Sequence, residues 1–153
     1  MVIHQGAAIA QRTARTVWEG RLAAGRGTVT SGSGALSALP VTWAGRTQQP
    51  DGMTSPEELA AAAHASCFSM ALALRLGERD VTPRRLEVSA TVSLDDVEGR
   101  PTVTSSALRV RADVPTLDDD AFASVVGEAA ALCPISRLFA GAAISVDAAL
   151  DRI

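Results

Sequence analysis

The sequence predicts an α+β domain in which a mainly antiparallel sheet packs against a long central buried helix. Segments that alternate apolar and polar residues lie before and after one long run without charge, from Leu59 to Leu74, which carries helix signals at its start. At 153 residues, with no linker and no internal repeat, the chain is expected to form a single domain over 1–153.

Three strands are predicted in the first third of the chain. They are the segments "TARTVWEGRL", "GRGTVTSG" and "LPVTWAGR", which are separated by glycine and serine turns.

The central helix has clear ends. Ser55 is a capping residue, Pro56 suits the first helical position, Glu58 completes an S-x-x-E capping box, and Gly77 is the natural stop. A helix with so little charge must be covered on nearly every side, and one small domain has limited material for that. We therefore expect a homodimer in which the central helices of two copies pack together.

A hairpin and a helix pair follow the central helix. The segments "RRLEVSATVSLDD" and "VTSSALRVRADV" alternate strictly, and "DDVEGRP" supplies the turn between them. Thr116 followed by Asp119 predicts a capped helix to about Leu132, and Pro134 can open a short third helix, "PISRLFAG". The last segment, "AISVDAALDRI", is predicted to be a closing strand.

Composition narrows the partners and the location. The formal charge is −3, and all 14 basic residues are arginine, so no broad basic surface for nucleic acid or anionic lipid is expected. The uncharged run is shorter than the ~20 apolar residues that a spanning helix needs, so no membrane insertion is expected. The start, "MVIHQGAAIAQRTAR", lacks the pattern of a signal peptide, which predicts a cytoplasmic protein.

The two cysteines are Cys67 and Cys133, 66 positions apart (133 minus 67). They are too few for a disulfide scaffold and lack the paired spacing of a zinc site, which leaves packing or redox chemistry. Cys67 on an alanine-rich helix could simply be a small buried hydrophobe. Cys133 is different, because it lies where one helix ends and Pro134 starts another, and a positive helix end favours thiolate over thiol.

Two other uses of the thiols have little support in the sequence. A Cys/His hydrolase would take His64 or His4 as its base, but His64 lies on the same face one turn before Cys67, and no third group is placed to orient it. A metal site built from both cysteines and both histidines has no support from spacing, and neither a metal nor another cofactor is expected. His64 is expected to be a packed, hydrogen-bonded residue beside the reactive centre.

Four segments carry a family resemblance. They are "VWEGRLAAGRGTVTSGSGAL", "LPVTWAGRT", "SPEELAAAAHASCFSMAL" and "LCPIS". Together they resemble the OsmC/Ohr family of osmotically induced and organic-hydroperoxide-resistance proteins, over roughly Val17 to Leu150. The opening segment and the A-H-A-x-C segment are closer to the OsmC branch.

This resemblance implies an intertwined homodimer with active sites at the subunit interface. It also implies a thiol-dependent peroxidase that reduces organic hydroperoxides, and less well hydrogen peroxide, to alcohols. By motif, Cys67 is similar to the peroxidatic cysteine and Cys133 to the resolving cysteine, which captures the sulfenic acid as an intramolecular disulfide. Arg46 matches the arginine that faces the thiolate, and Glu57 the glutamate that holds that arginine. The implied reductant is a dithiol, with a lipoyl-bearing protein as the expected source.

Two questions of placement stay open at this stage. Compared with the family pattern, the segment "RTQQPDGMTSPEE" has one extra residue between the arginine and the P-E motif. The arginine that faces the thiolate could therefore be Arg21 or Arg26 instead of Arg46. In an unbroken helix, ten residues separate Glu57 from Cys67 by ~15 Å along the axis. Either the helix breaks between positions 60 and 63, or the helix of a second copy brings Glu57 to Cys67.

A rival hypothesis is a non-catalytic dimer that binds an apolar ligand and keeps its cysteines buried and inert.

For the peroxidase, an apolar mouth beside the thiols would favour bulky hydroperoxides. Four residues are candidates to line it, although each is also typical of plain core: Phe68, Met70, Leu138 and Phe139.

Overall fold

The computed structural model describes residues 8–151, which form two compact units, one ending at Ser55 and one beginning at Pro56. Each unit contains a three-stranded sheet of its own. The α+β class with a long central helix is confirmed, but the expected single sheet is two sheets. That the chain behaves as one domain stays a prediction.

The N-terminal unit is an antiparallel sheet in the order β1-β2-β3, with strands β1 (Ala14–Glu19), β2 (Arg26–Ser31) and β3 (Leu39–Val41). Gly27 lies between Trp18 and Val41 in this sheet. A Cβ at Gly27 would lie 2.6 Å from the Val41 side chain and 2.9 Å from the Trp18 ring, so only glycine lets these strands approach.

A short helix, α1 (Trp43–Thr47), follows β3. The predicted third strand, "LPVTWAGR", runs into this segment, and that part of the prediction is wrong. The Thr42 hydroxyl accepts a hydrogen bond from the Gly45 N–H at 3.0 Å and so caps the helix start.

The C-terminal unit holds the remaining elements. These are α2 (Pro56–Gly77), β4 (Arg85–Val97), β5 (Arg100–Asp113), α3 (Asp119–Leu132), α4 (Pro134–Leu138) and β6 (Ala143–Leu150). The sheet order is β4-β5-β6, and β6 runs parallel to β5 rather than antiparallel. The parallel direction follows from the crossover that α3 and α4 make between the two strands.

The β4–β5 hairpin forms as predicted and carries α2 on one face. Its loop is Glu98 and Gly99, whose φ angles of +52° and +78° match the two left-handed positions of a type I′ turn. Leu108, Val110 and Ala112 of β5 are buried on the face that meets the helices. This alternation fixes the register, because a slip of one residue would expose them.

Helix α2 is continuous from Pro56 to Gly77, so the suggested break between positions 60 and 63 is wrong. Its buried residues recur at helical spacing and are His64, Phe68, Ala71, Leu72 and Leu76. The opposite face is open, with Met70 70% and Leu74 52% exposed, so the helix is not covered on nearly every side within one chain. By length and composition alone α2 could also cross a membrane, but its buried face packs as a core helix does.

Helix α3 closes the core over α2 and ends at the second cysteine. Its cap is Asp118, whose carboxylate accepts the Ala121 N–H at 2.8 Å, and not the expected Thr116. The predicted buried face is confirmed and consists of Phe122, Val125, Val126 and Ala129.

Candidate active site

The fold brings the two cysteines together inside the C-terminal unit. Cys67 lies on α2, one position before the buried Phe68, and is half-buried. Cys133 is fully buried at the joint between α3 and α4. Both thiols are free, and their side chains share a hydrogen-bond contact.

The joint at Cys133 is made by backbone geometry. The Cys133 N–H donates to the Ala129 carbonyl at 2.9 Å and ends α3, while the Cys133 carbonyl accepts from the Arg137 N–H at 3.3 Å and begins α4. Pro134 takes the first helical position, where its missing N–H costs nothing. The predicted placement of Cys133 at a helix start is confirmed.

The surroundings of Cys133 favour its thiolate. Burial raises the pKa of Cys133, but hydrogen bonds from the hydroxyl and the N–H of Ser136, from Cys67 and from the Ile135 N–H outweigh it and lower the pKa. No regular side-chain cap closes α4, so these donors are available to the sulfur. A thiol at this position is poised to act as a nucleophile or to leave as a thiolate.

For Cys67, the surroundings within the C-terminal unit raise the pKa and so favour the thiol. Burial raises its pKa, the Ile135 N–H offsets part of that effect, and the hydrogen bond and negative charge of Cys133 raise the pKa further. A low pKa at Cys67 therefore requires a positive charge from outside the elements that form the joint.

His64 is the buried centre of a polar cluster next to the thiols. Its Nδ1 is 2.6 Å from the Ser106 hydroxyl and its Nε2 is 2.8 Å from the Ser136 hydroxyl. Its ring stacks on Phe139 with centroids 5.0 Å apart and planes at 26°. Burial lowers the pKa of His64, so the imidazole is neutral.

This arrangement bears on the two histidine hypotheses. Both ring nitrogens bond serine hydroxyls, so His64 is the expected packed and hydrogen-bonded residue and not a base paired with a thiol. Among residues 8–151, no group of three or more histidine, cysteine or acidic side chains is placed to hold a metal ion. His4 lies outside the described residues.

Sequence reasoning missed the two serines. Ser106 occupies the phase of Leu108 and Val110 on β5, so it is a polar residue at a core position. Ser136 is the second residue after Pro134 in the first turn of α4. A hydroxyl at a buried strand position needs a buried hydrogen-bond partner. The sequence offered one sign of such a partner, the polar residue His64 within the apolar run of α2.

Arg46 and Glu57 belong to different units. Arg46 is half-buried in the last turn of α1, with its guanidinium 5.9 Å from the centre of the Trp43 ring. Glu57 is half-buried in the first turn of α2. Arg21 and Arg26 are exposed. The roles assigned to Arg46 and Glu57 stay predictions.

The expected apolar mouth is only partly supported. Phe68 is fully buried, as the alternative of plain core predicts for it, whereas Leu138 is 76% exposed next to the joint. A separate cavity of about 630 Å³ lies between α3 and β6, and its lining includes Phe122, Val126 and Leu150 but neither cysteine.

Comparison with known proteins agrees with these features. A family model described as OsmC-like protein matches residues 49–148. The chain is 43% identical over 121 residues to Peroxiredoxin OsmC of Escherichia coli, covering 79% of this chain and 84% of that protein. The chain belongs to the OsmC-like family. The family predicted from the sequence segments is thereby confirmed.

Another relative and two solved structures are also similar to the chain. Peroxiredoxin OsmC of Shigella flexneri shows the same 43% identity over 79% of this chain and 84% of its own length. The crystal structure of the organic hydroperoxide resistance protein OhrB of Bacillus subtilis is 28% identical, has a TM-score of 0.69, and covers 91% of this chain and 98% of that chain. A Legionella pneumophila OsmC structure, 20% identical with a TM-score of 0.71, covers 95% of this chain and 100% of that chain and shares the fold.

Proposed function

We propose that this protein is a thiol-dependent peroxidase that reduces organic hydroperoxides to alcohols. The observation that carries the proposal is the contact between Cys67 and Cys133, two thiols that are far apart in the sequence and adjacent in the folded unit. The 43% identity to two curated peroxiredoxins supports it. The half-exposed Cys67 is the peroxidatic cysteine, and the buried Cys133 is the resolving cysteine.

The first step is an attack of the Cys67 thiolate on one oxygen of the hydroperoxide. The S–O bond forms as the O–O bond breaks, and the leaving alkoxide takes a proton to become the alcohol. The Cys133 thiolate then attacks the Cys67 sulfenic acid, the S–O bond breaks, water leaves, and a disulfide forms. An external dithiol returns both cysteines to thiols, and a lipoyl-bearing protein is the proposed source.

The cation that ionises Cys67 is proposed to be Arg46. A guanidinium is always charged and offers a planar set of donors that suits a thiolate and a polarised peroxide. Arg46 is half-buried while Arg21 and Arg26 are exposed, which favours Arg46, because a partly desolvated charge acts more strongly on a neighbour.

Glu57 is proposed to orient that arginine from a second copy of the chain. In the continuous helix α2, Glu57 and Cys67 are ten positions, ~15 Å, apart along the axis. At that separation Glu57 cannot act at the Cys67 thiol of its own chain. An antiparallel α2 from a second copy would bring the two residues together. Mixed dimers of Glu57→Ala and Cys67→Ser subunits should regain activity, and a complete lack of recovery would count against the arrangement.

The proposed assembly is a homodimer with α2 at its centre. The exposed Met70 and Leu74 lie on one face of α2, and every residue of β1 is exposed, including Val17 and Trp18. These apolar surfaces fit burial against a second copy. Light scattering at micromolar concentration should give twice the chain mass and Leu74→Glu should reduce it, whereas a monomeric mass for the wild type would refute the dimer.

Thiol counting tests the function directly. One equivalent of cumene hydroperoxide should remove both free thiols, yield one equivalent of cumyl alcohol, and lower the mass by two hydrogens. The rival ligand-binding protein, for which the cavity between α3 and β6 is the supporting feature, would keep both thiols. Retention of both thiols in folded protein would therefore reject the peroxidase.

A further inference from the structure

The polar cluster around His64 is built from three elements and is buried. His64 of α2 and Ser106 of β5 have no exposed surface, and Ser136 of α4 is only 8% exposed. The two hydrogen bonds of 2.6 and 2.8 Å fix both ring nitrogens, and the stack on Phe139 fixes the ring plane. Buried polar groups held this tightly specify one arrangement.

The cluster ends at a thiol. Cys133 is the N-cap of α4 and Ser136 is the third residue of that helix, two positions whose side chains lie side by side. The hydroxyl that bonds His64 on one side therefore also reaches the Cys133 sulfur and acts on it as a hydrogen-bond partner. The four groups therefore form one continuous chain of hydrogen bonds, in the order Ser106, His64, Ser136 and Cys133.

Such a chain has only two consistent directions. A neutral imidazole has one donor nitrogen and one acceptor nitrogen, and a hydroxyl has one proton to give. If Ser136 donates to Cys133, its oxygen must accept from His64 Nε2–H, and Nδ1 must accept from Ser106. In the opposite direction, the Cys133 thiol donates to Ser136, Ser136 donates to His64 Nε2, and Nδ1–H donates to Ser106. A Cys133 thiolate would then receive no hydrogen bond from the Ser136 hydroxyl.

The helix joint selects between these directions. Cys133 is the N-cap of α4 and no side chain caps the first turn, so the N–H groups of Ile135 and Ser136 are open toward the Cys133 sulfur and favour negative charge at that end of the chain. A thiol is also a weak donor, which disfavours the reverse direction.

We propose that Ser106, His64 and Ser136 form a directed hydrogen-bond relay that holds the Ser136 hydroxyl as a donor to Cys133. His64, as the Nε2–H tautomer, and Ser106 are positioning residues in this relay. The term resolving cysteine for Cys133 rests on the proposed function, but the relay itself is a property of the reduced protein.

The relay has a consequence for the return of the disulfide to thiols. A thiolate of the external dithiol attacks the half-exposed Cys67 sulfur, the Cys67–Cys133 bond breaks, and Cys133 leaves as a thiolate. A leaving thiol with a lower pKa leaves faster, so the donor from Ser136 directs the attack to Cys67. The second thiol of the reductant then displaces Cys67 from the mixed disulfide, leaving the reductant oxidised.

The first test is a titration of Cys133 in the Cys67→Ser background, where it is the remaining thiol. Thiolate absorbance at 240 nm should show that Ser136→Ala raises the pKa of Cys133 by about 1 to 2, as expected for loss of a hydrogen bond to a charged group. Ser136→Thr should restore most of it. Ser66→Ala, which removes an exposed α2 serine bonded to the Ala63 carbonyl, is the matched control and should change nothing. An unchanged pKa in Ser136→Ala would overturn the relay.

The second test separates the relay from a purely structural role. His64→Leu should also raise the pKa of Cys133, but should add no further rise once Ser136→Ala is present. Equal rises with and without the Ser136 hydroxyl would overturn the proposal. His64→Gln, which keeps a donor near Nε2, and Ser106→Ala give the same cycle with milder variants if His64→Leu does not fold.

The third test reads the tautomer directly. Proton–nitrogen correlation spectra of the ¹⁵N-histidine-labelled wild type should show His64 as the neutral Nε2–H form, with His4→Gln assigning the other histidine signal. The Nδ1–H form would reverse the chain and overturn the proposal. None of these measurements uses peroxide, so their failure is distinct from a failure of the proposed peroxidase.

Discussion

The two cysteines lie side by side but differ in what surrounds them. Cys133 has backbone N–H groups and a serine hydroxyl directed at it from its own helix, and its pKa is lowered despite burial. Cys67 lies mid-helix, where backbone N–H groups are already used, and its pKa is raised by burial and by its neighbour. The comparison teaches that donors within the C-terminal unit lower the pKa of the proposed resolving thiol, whereas a low pKa at the proposed peroxidatic thiol depends on a positive charge from elsewhere.

The largest expected effect comes from removing each thiol in turn. Cys67→Ser should lower peroxidase turnover to below about a thousandth of the wild-type rate, because no nucleophile remains. Cys133→Ser should allow one oxidation, seen as one equivalent of alcohol, and then stall as a sulfenic acid that dimedone traps. Full multiple turnover by the Cys67→Ser variant would invert the roles assigned to the two cysteines.

Removing the proposed cation should affect only one of the two thiols. Arg46→Ala should raise the pKa of Cys67, measured in Cys133→Ser, by about 1 to 2, and leave the pKa of Cys133, measured in Cys67→Ser, unchanged. Arg21→Ala and Arg26→Ala are the matched controls. If Cys67 titrates as before in Arg46→Ala but shifts in a control, the cation is that other arginine.

Acid should weaken the fold through the buried His64. Its pKa is lowered in the folded state, so the unfolded chain binds the proton first as the pH falls through the ordinary histidine value of about 6.5. Stability is then lost by up to about 1.4 kcal/mol per pH unit until the folded pKa is reached. Urea unfolding between pH 7 and 5 measures this slope, which His64→Gln should reduce and His4→Gln should not.

The smallest effect is expected at a cap far from the sulfur atoms. Asp118→Ala removes the acceptor for the Ala121 N–H and should cost about 1 kcal/mol of unfolding free energy, whereas Asp118→Asn should keep most of it. Neither variant should move the pKa of Cys133, measured in Cys67→Ser. A shift in Asp118→Ala would mean that general loosening of α3, and not the local donors, sets the state of that thiol.

Much of the fold follows from patterns that the sequence displays openly. Alternation gives β4 and β5, and Pro56, Gly77 and Pro134 mark helix boundaries that the structure reproduces. The direction of β6 does not follow, because alternation is the same in parallel and antiparallel strands. Helix α1 was missed because its signal is a single threonine cap within an apolar stretch.

The cysteines of the site could be predicted from the sequence, but the hydrogen-bond partners around them could not. The family motifs and the Cys-Pro junction point to both cysteines, and the structure brings these together. The serine partners of His64 were not predicted. Ser106 is 42 positions and Ser136 is 72 positions from His64 along the chain, and hydrogen bonds over such separations leave no local pattern in the sequence. Such partners become visible only when the strand and the helix joint are placed against α2.

The long sequence separation of those hydrogen bonds also governs when the site forms. Contacts that join α2 to β5 and to α4 require most of the C-terminal unit to collapse, and such non-local contacts arrive late in folding. On the proposed mechanism, a nascent chain that has not yet reached Cys133 would hold Cys67 without its neighbour, open to irreversible overoxidation. The protection of Cys67 that the proposed mechanism assigns to Cys133 thus forms together with the completed core.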